Sequence, residues 1–149
     1  MKTLVILKAK ANHGKTGTLD RLIDKIKDSD LFHLIYPKVK DDITSFVIGQ
    51  YGAYRFGIIT FGDPGCEDEL SQCLNSCLDY DCDVVVCASR TKGAVYEMLY
   101  TFGKDHHTAI LETSPLYLYD SWDSTIDCNA LNDLTATMLF RFLTETILN

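Results

Sequence analysis

The chain contains 149 residues, of which 46% are hydrophobic, and its formal net charge is −7. This length suits a single domain across residues 1–149 with a sizeable core. No apolar stretch is long enough to span a membrane and no signal peptide is recognisable, so we expect a cytoplasmic protein that does not insert into a membrane. Residues 1–30 carry seven Lys and Arg against four Asp, whereas the remainder is strongly acidic. That balance disfavours a broad surface for duplex nucleic acid, which needs clustered cations.

The hydrophobic pattern predicts strands and helices that alternate along the chain. In order, it predicts strand 3–8, helix 16–28, strand 32–36, a hairpin with arms 43–48 and 54–61 around a turn at 49–52, helix 66–79, strand 83–88, helix 92–103, strand 107–112 and helix 129–147. The strands are short continuous apolar runs, which is typical of strands buried on both faces of a parallel sheet. We therefore predict an α/β fold, a three-layer α/β/α sandwich with a mainly parallel sheet and one antiparallel hairpin.

Six cysteines raise the question of disulfides or a zinc site, but no CxxC pair occurs. Cys73 and Cys77 fall on the apolar stripe of the helix predicted at 66–79, and Cys87 lies near the end of a predicted strand. Cysteine in such positions behaves as a small hydrophobic residue. The spacing therefore favours reduced thiols in the core over metal ligands.

The first predicted strand leads through a short polar loop into Gly14-Lys15-Thr16 and then directly into a helix. A phosphate-binding loop needs this layout, because backbone N–H groups and the helix dipole favour an anion at a helix N-terminus. In that arrangement the Lys15 ammonium reaches the outer phosphates and the Thr16 hydroxyl binds magnesium. The segment from Ala9 to Thr16 resembles the Walker A motif of the P-loop NTPases, with Ala9 in place of the first glycine.

This resemblance implies a P-loop NTPase-like fold and a site for ATP, or another nucleoside triphosphate, with Mg²⁺. The residues that it places at the nucleotide are Lys10, Asn12, His13, Gly14, Lys15, Thr16, Gly17 and Thr18. The same loop more weakly resembles the deviant Walker A motif, in which the first lysine contacts a nucleotide across a dimer. Lys10 occupies that lysine's position, so this second resemblance implies a homodimer; otherwise Lys10 is a solvated loop residue.

Carboxylates near the end of the second hairpin arm are candidates for magnesium binding and catalysis. Asp63 follows the apolar run 56–62 and resembles the Walker B acid, which would hold magnesium directly or through water. Asp63-Pro64-Gly65 is also good turn chemistry, so a purely structural role stays open. Glu67 begins the next predicted helix, where it stabilises the helix dipole or orients a water molecule or a substrate hydroxyl.

Arg90 follows strand 83–88 and either stabilises charge on a transferring phosphoryl group or forms a surface ion pair. His106-His107 is interpreted as a solvated loop at the start of the last strand. Tyr117, Tyr119 and Trp122 form an aromatic cluster that stacks on a base, binds a partner or packs the final helix.

These features together predict a small nucleotide-binding protein that acts as a Mg²⁺-dependent ATPase, with Lys15, Asp63, Glu67 and Arg90 as catalytic candidates. The alternatives are a small-molecule or nucleotide kinase and a non-catalytic module that retains the fold. No NKxD element follows predicted strand 83–88, which disfavours guanine specificity.

Overall fold

The computed structural model describes residues 1–10, 13–118 and 125–147, with side chains through Glu145. The strands are β1 (Thr3–Lys8), β2 (Phe32–Tyr36), β3 (Phe46–Tyr51), β4 (Tyr54–Ile59), β5 (Val84–Ser89) and β6 (Ala109–Thr113). The helices are α1 (Lys15–Lys27), α2 (Glu67–Asp79), α3 (Ala94–Asp105) and α4 (Cys128–Phe142), with a short 3₁₀ turn at Lys40–Asp42. The fold is therefore α/β, as the sequence predicts.

The described strands form one six-stranded sheet in the order β2-β3-β4-β5-β1-β6. β4, β5, β1 and β6 pair in parallel, whereas β3 runs antiparallel to both of its neighbours. The sheet is thus mixed and mostly parallel in direction, because only β3 runs opposite to the others. The carboxyl ends of β1, β4 and β5 consequently lie side by side at one edge, where an open α/β sheet commonly binds its ligand.

Helices cover both faces of the sheet, and the alternation of side chains along β1 shows how. Val5 and Leu7 pack with α1 and α4 on one face. Leu4 and Ile6 pack with α2 and α3 on the other face. All four side chains are fully buried. This arrangement explains why the parallel strands read as continuous apolar runs rather than as alternating patterns.

The predicted hairpin exists, but its turn was placed wrongly at residues 49–52. The first arm is β3 itself, and the chain reverses at Gly52 and Ala53, where Gly52 has a φ of +61°. Gly49 lies inside β3, where a Cβ atom would sit 2.7 Å from the Phe32 ring and 2.9 Å from the Phe56 ring. The glycine therefore makes room for two aromatic rings rather than for a turn.

Two further predictions about the strands and helices are corrected by the structure. β2 pairs antiparallel with β3, so the sheet contains a second antiparallel pair beyond the predicted hairpin. The α-helical part of the last helix ends at Phe142 and continues as a π-helical turn over Leu143–Ile147. The first hairpin arm, β3, begins and ends three residues later than predicted, and the remaining predicted bounds lie within two residues of the observed ones. His106-His107 forms an exposed turn between α3 and β6, as the interpretation of a solvated loop expects, and β6 itself starts at Ala109 rather than at residue 107.

The cysteines are free thiols, and those predicted for the core differ in their burial. Cys77 and Cys87 are fully buried, as is Cys82, whereas Cys73 is only half-buried. A hydrogen bond with Cys82, together with burial, raises the pKa of Cys77, and burial raises the pKa of Cys87 to about 12. Such thiols are poor nucleophiles at neutral pH because the thiolate is the reactive form.

We expect this difference in burial to appear as three classes of thiol in a titration with Ellman's reagent. The exposed Cys128 should react within the mixing time, and the half-buried Cys66 and Cys73 should react more slowly. The three buried thiols should react only after denaturant is added. Rapid modification of all six thiols in the native protein would contradict the packing described above.

Candidate functional site

The loops that follow β1, β4 and β5 meet at one edge of the sheet. The Ala9 N–H donates to the Ser89 carbonyl at 3.1 Å, which fixes the first residue after β1 against the end of β5. Beyond β4, the Thr60 N–H donates to the Ser45 carbonyl at 2.9 Å. These backbone contacts hold the segments that carry the predicted site residues close to one another.

Lys15 is the central side chain of this edge, and only 7% of it is exposed. Its ammonium donates to the Ala9 carbonyl at 2.7 Å and to the Lys10 carbonyl at 2.9 Å. These two hydrogen bonds connect the first residue of α1 to the two residues that follow β1. An ammonium has three N–H donors, so one remains beyond these two described bonds.

The electrostatic surroundings of Lys15 connect it to two other predicted residues. Burial lowers the pKa of the Lys15 ammonium, the Asp63 carboxylate opposes that shift and the Arg90 guanidinium adds to it. Arg90 Nε donates to Asp63 Oδ1 at 3.0 Å. Lys15, Asp63 and Arg90 therefore interact electrostatically, with the Lys15 cation at the start of α1 and the Asp63–Arg90 ion pair beyond the ends of β4 and β5.

Gly62 positions Asp63 by allowing a close approach between two backbone segments. A Cβ atom at Gly62 would overlap the carbonyl oxygen of Ala88 and lie 2.9 Å from the nitrogen of Ser89. The backbone of Asp63 also forms the predicted turn, since its carbonyl accepts the Cys66 N–H at 3.4 Å. Asp63 thus combines a structural backbone with a carboxylate that stays 67% exposed.

Thr16 connects the start of α1 to the end of β4. Its hydroxyl donates to the Thr60 carbonyl at 3.2 Å, and the Thr16 residue is exposed. A hydroxyl that donates its hydrogen keeps two lone pairs as acceptors. The oxygen of Thr16 is therefore able to ligate a cation. Among the residues that the structure describes, no three His, Cys, Asp or Glu side chains gather as metal ligands.

α4 and the loop before it place two further residues beside the loop between β1 and α1. The Tyr117 ring stacks on His13 with ring centroids 4.2 Å apart. The Asn132 amide lies against the Cα atoms of Gly14 and Gly17, so closely that a Cβ at Gly17 would be 2.7 Å from Asn132 Nδ2. Sequence reasoning missed Asn132 because nothing local to it signals the packing of α4 on α1. Tyr117 was identified only as part of an aromatic cluster.

The other residues predicted for the site differ from Lys15 and Asp63 in their burial and contacts. Gly14 precedes α1 with a φ of +83°, a conformation that glycine adopts without strain. Lys10 contributes its carbonyl, and its side chain is exposed. Thr18 is fully buried, and its hydroxyl has no hydrogen-bond partner in the described part of the chain.

Glu67 lies half-buried in the first turn of α2. The placements of Asn12, Tyr119 and Trp122 fall outside the described residues.

Comparison with protein-family models, with curated proteins and with solved structures finds no match to this chain. No helix within residues 1–10, 13–118 and 125–147 is long and apolar enough to cross a lipid bilayer.

Proposed function

We propose that this chain binds ATP, or another nucleoside triphosphate, together with Mg²⁺ and hydrolyses the terminal phosphate bond. The observation that carries the proposal is the buried Lys15 ammonium at the N-terminus of α1, which bonds the carbonyls of Ala9 and Lys10 and whose third N–H finds no acceptor within residues 1–10, 13–118 and 125–147. A desolvated cation beside a helix N-terminus suits a phosphate chain, because the helix dipole and the ammonium attract the same anion.

The neighbouring residues fit the roles that phosphoryl chemistry requires. In this proposal Lys15 binds the outer phosphates, while Thr16 and Asp63 hold Mg²⁺. Magnesium commonly uses one or two protein ligands together with substrate phosphates, so a site without a protein cage is suitable. The bound ion would neutralise phosphate charge. Arg90 would stabilise charge on the transferring group, because its guanidinium already lies beside Asp63.

The remaining predicted residues take supporting roles in the proposal. His13, Gly14, Gly17 and Thr18 belong to the loop and first turn around the phosphates. Glu67 orients the attacking water from the first turn of α2. The resemblance of Lys10 to the first lysine of the deviant motif extends the proposal to a homodimer, in which its exposed ammonium contacts a nucleotide of the second copy.

A second candidate function is phosphoryl transfer to a small acceptor, and the shape of the surface favours it. A groove of about 450 Å³ begins at Thr16 and is also lined by Thr60. This volume lies in the range of small-molecule sites. A hydrolase that uses water needs no such space beside its nucleotide.

Thermal unfolding with and without nucleotide tests the proposed binding. At a Mg²⁺–ATP concentration about 100 times its Kd, binding stabilises a protein by about 2.7 kcal/mol. For a chain of this size we expect the midpoint to rise by roughly 5–10 °C. The rise should shrink when EDTA removes magnesium. An unchanged midpoint at millimolar Mg²⁺–ATP would overturn the proposal, and binding without phosphate release would overturn its hydrolytic part.

A further inference from the structure

The groove beside Thr16 lies between α1 and the segment that precedes β3. One wall is a face of α1 that includes Asp20 and Asp24, and Ser45 lies on the opposite wall. Two hydrogen bonds hold the Ser45 segment against the end of β4. The Ser45 carbonyl accepts the Thr60 N–H at 2.9 Å and the Thr60 hydroxyl at 3.3 Å. The groove is therefore bounded on both sides by elements that also shape the proposed nucleotide site.

The α1 wall presents its polar groups at regular intervals. Because a helix rises about 1.5 Å per residue, Asp20 and Asp24 lie roughly 6 and 12 Å from Thr16 along the axis. Lys27, which also lines the groove, is about 16 Å from Thr16 along the axis. The part of the wall nearest to the proposed phosphates thus carries a hydroxyl followed by two carboxylates.

The two carboxylates have no ion-pair partner among the residues that the structure describes. Partial burial and the nearby Asp24 carboxylate raise the pKa of Asp20, and Arg21 opposes this shift only as the smallest of the three influences. A protonated amine in the groove would relieve the repulsion between these carboxylates. An anionic group in the same place would add to it.

We propose that the groove binds a small acceptor with a hydroxyl at the Thr16 end and a protonated amine about 6–12 Å away, beside Asp20 and Asp24. This inference rests on the proposed nucleotide site and makes the chain a phosphotransferase for hydroxyl-bearing amines. Phosphorylated and carboxylated acceptors are excluded by the carboxylates of the wall.

The transfer step is balanced without any further reactant. The acceptor hydroxyl oxygen forms a bond to the γ-phosphorus while the bond from that phosphorus to the β–γ bridging oxygen breaks. The bonding electrons leave with the nucleoside diphosphate. The hydroxyl proton passes to water on the open side of the groove. The products are a phosphate monoester and the diphosphate.

A series of three six-carbon alcohols separates charge from size. Aminohexanol, hexanediol and hydroxyhexanoate share a hydroxyl and a chain length, and their far ends are cationic, neutral and anionic. Ligand titrations followed by protein NMR, without nucleotide, should give weak binding in that order. We expect the amine to bind about two- to fivefold more tightly than the diol, as suits a solvent-accessible ion pair. Equal affinities, an absence of binding by all three, or tightest binding of the carboxylate would overturn the inference.

The double variant Asp20→Asn/Asp24→Asn tests whether these two carboxylates cause the preference for the amine over the diol. It should reduce the affinity for aminohexanol to that for hexanediol and leave the affinity for the diol unchanged. Asp28→Asn/Asp30→Asn is the matched control, because it removes the same charge just beyond the end of α1. An amine preference that survives in the first variant, or disappears in the control, would contradict the assigned groove.

The first variant should also unfold at the same temperature as the parent or higher at pH 7. Because the folded-state pKa of Asp20 is raised, its ionised form destabilises the folded protein at pH values above that pKa. Asparagine removes this penalty, so the difference in stability should shrink as the pH falls through the folded-state pKa and should vanish below the lower, unfolded-state pKa. A lower midpoint at pH 7 would contradict the electrostatic account of the groove.

Two readouts keep this inference distinct from the proposed nucleotide site. The Asp20→Asn/Asp24→Asn variant should keep the thermal response to Mg²⁺–ATP, while its transfer of phosphate to aminohexanol, followed by ³¹P NMR, should fall about two- to fivefold. A Mg²⁺–ATP response without transfer to the amine in the parent overturns the inference alone. Absence of the Mg²⁺–ATP response in the parent overturns the proposed function and the transfer step with it.

Discussion

Replacing Lys15 with methionine should cut the thermal response to Mg²⁺–ATP by half or more while changing the stability of the nucleotide-free protein by no more than about 1 kcal/mol. Methionine keeps an apolar stem of similar length, and it removes a buried charge as well as the two bonds to Ala9 and Lys10. These two effects on folding oppose each other. The phosphates lose a charge-assisted partner of about 1.5–3 kcal/mol, which raises the nucleotide Kd roughly 10- to 150-fold.

Isothermal titration and thermal unfolding of the same samples check this expectation. Lys38→Met is the matched control, because it removes one positive charge from an exposed loop and should leave the Kd unchanged. Lys10→Met adds a test of the homodimer: a loss of affinity that is seen only at protein concentrations where dimers form would support a lysine acting across the interface. Wild-type nucleotide affinity in the Lys15→Met protein would refute the proposed site.

Gly62→Ala should be the most destabilising single-methyl addition near this edge. The new Cβ would overlap the Ala88 carbonyl, and neither partner is a flexible side chain that can swing aside. Overpacking typically costs about 1–3 kcal/mol, and a collision with backbone belongs in the upper part of that range. We expect the unfolding midpoint to fall by roughly 5–10 °C. Mg²⁺–ATP binding should weaken as well, since Asp63 follows directly.

Gly17→Ala provides the comparison for this substitution. Its Cβ would approach only the end of the Asn132 side chain, which has room to rotate, and alanine favours a helix by up to about 1 kcal/mol relative to glycine. The stability of this variant should therefore stay within about 1 kcal/mol of the parent. Equal stability of the Gly62→Ala and Gly17→Ala proteins, measured by urea unfolding, would contradict the close approach between Gly62 and β5.

Much of the fold is predictable because its signals are local. Helix spacing identifies four helices, and continuous apolar strands such as Val84–Val86 predict burial on both faces. The pairing of β2 with β3 is not predictable in this way, since it depends on contacts between distant residues. Gly49 illustrates the difference: glycine commonly marks a turn, but here the rings of Phe32 and Phe56 require its small size.

The candidate site shows the same division between local and distant information. Gly14-Lys15-Thr16 is recognisable because strand, loop and helix follow one another in the sequence. Asp63 and Arg90 were each identified from their positions after strands, but their ion pair depends on the β4–β5 pairing. Asn132 could not be found, because its contact with Gly14 and Gly17 arises from the packing of α4 on α1.

The two hydrogen bonds that Lys15 donates to the carbonyls of Ala9 and Lys10 also bear on how fast the proposed ligand associates. Because its ammonium bonds Ala9 and Lys10 without any ligand, the start of the loop and the start of α1 are already fastened together when the chain has folded. Conformational entropy at these positions is therefore lost during folding rather than during association. If the proposed nucleotide binds here, little rearrangement of these residues is needed, so association should be fast and differences in affinity among nucleotide analogues should reside in their dissociation rates.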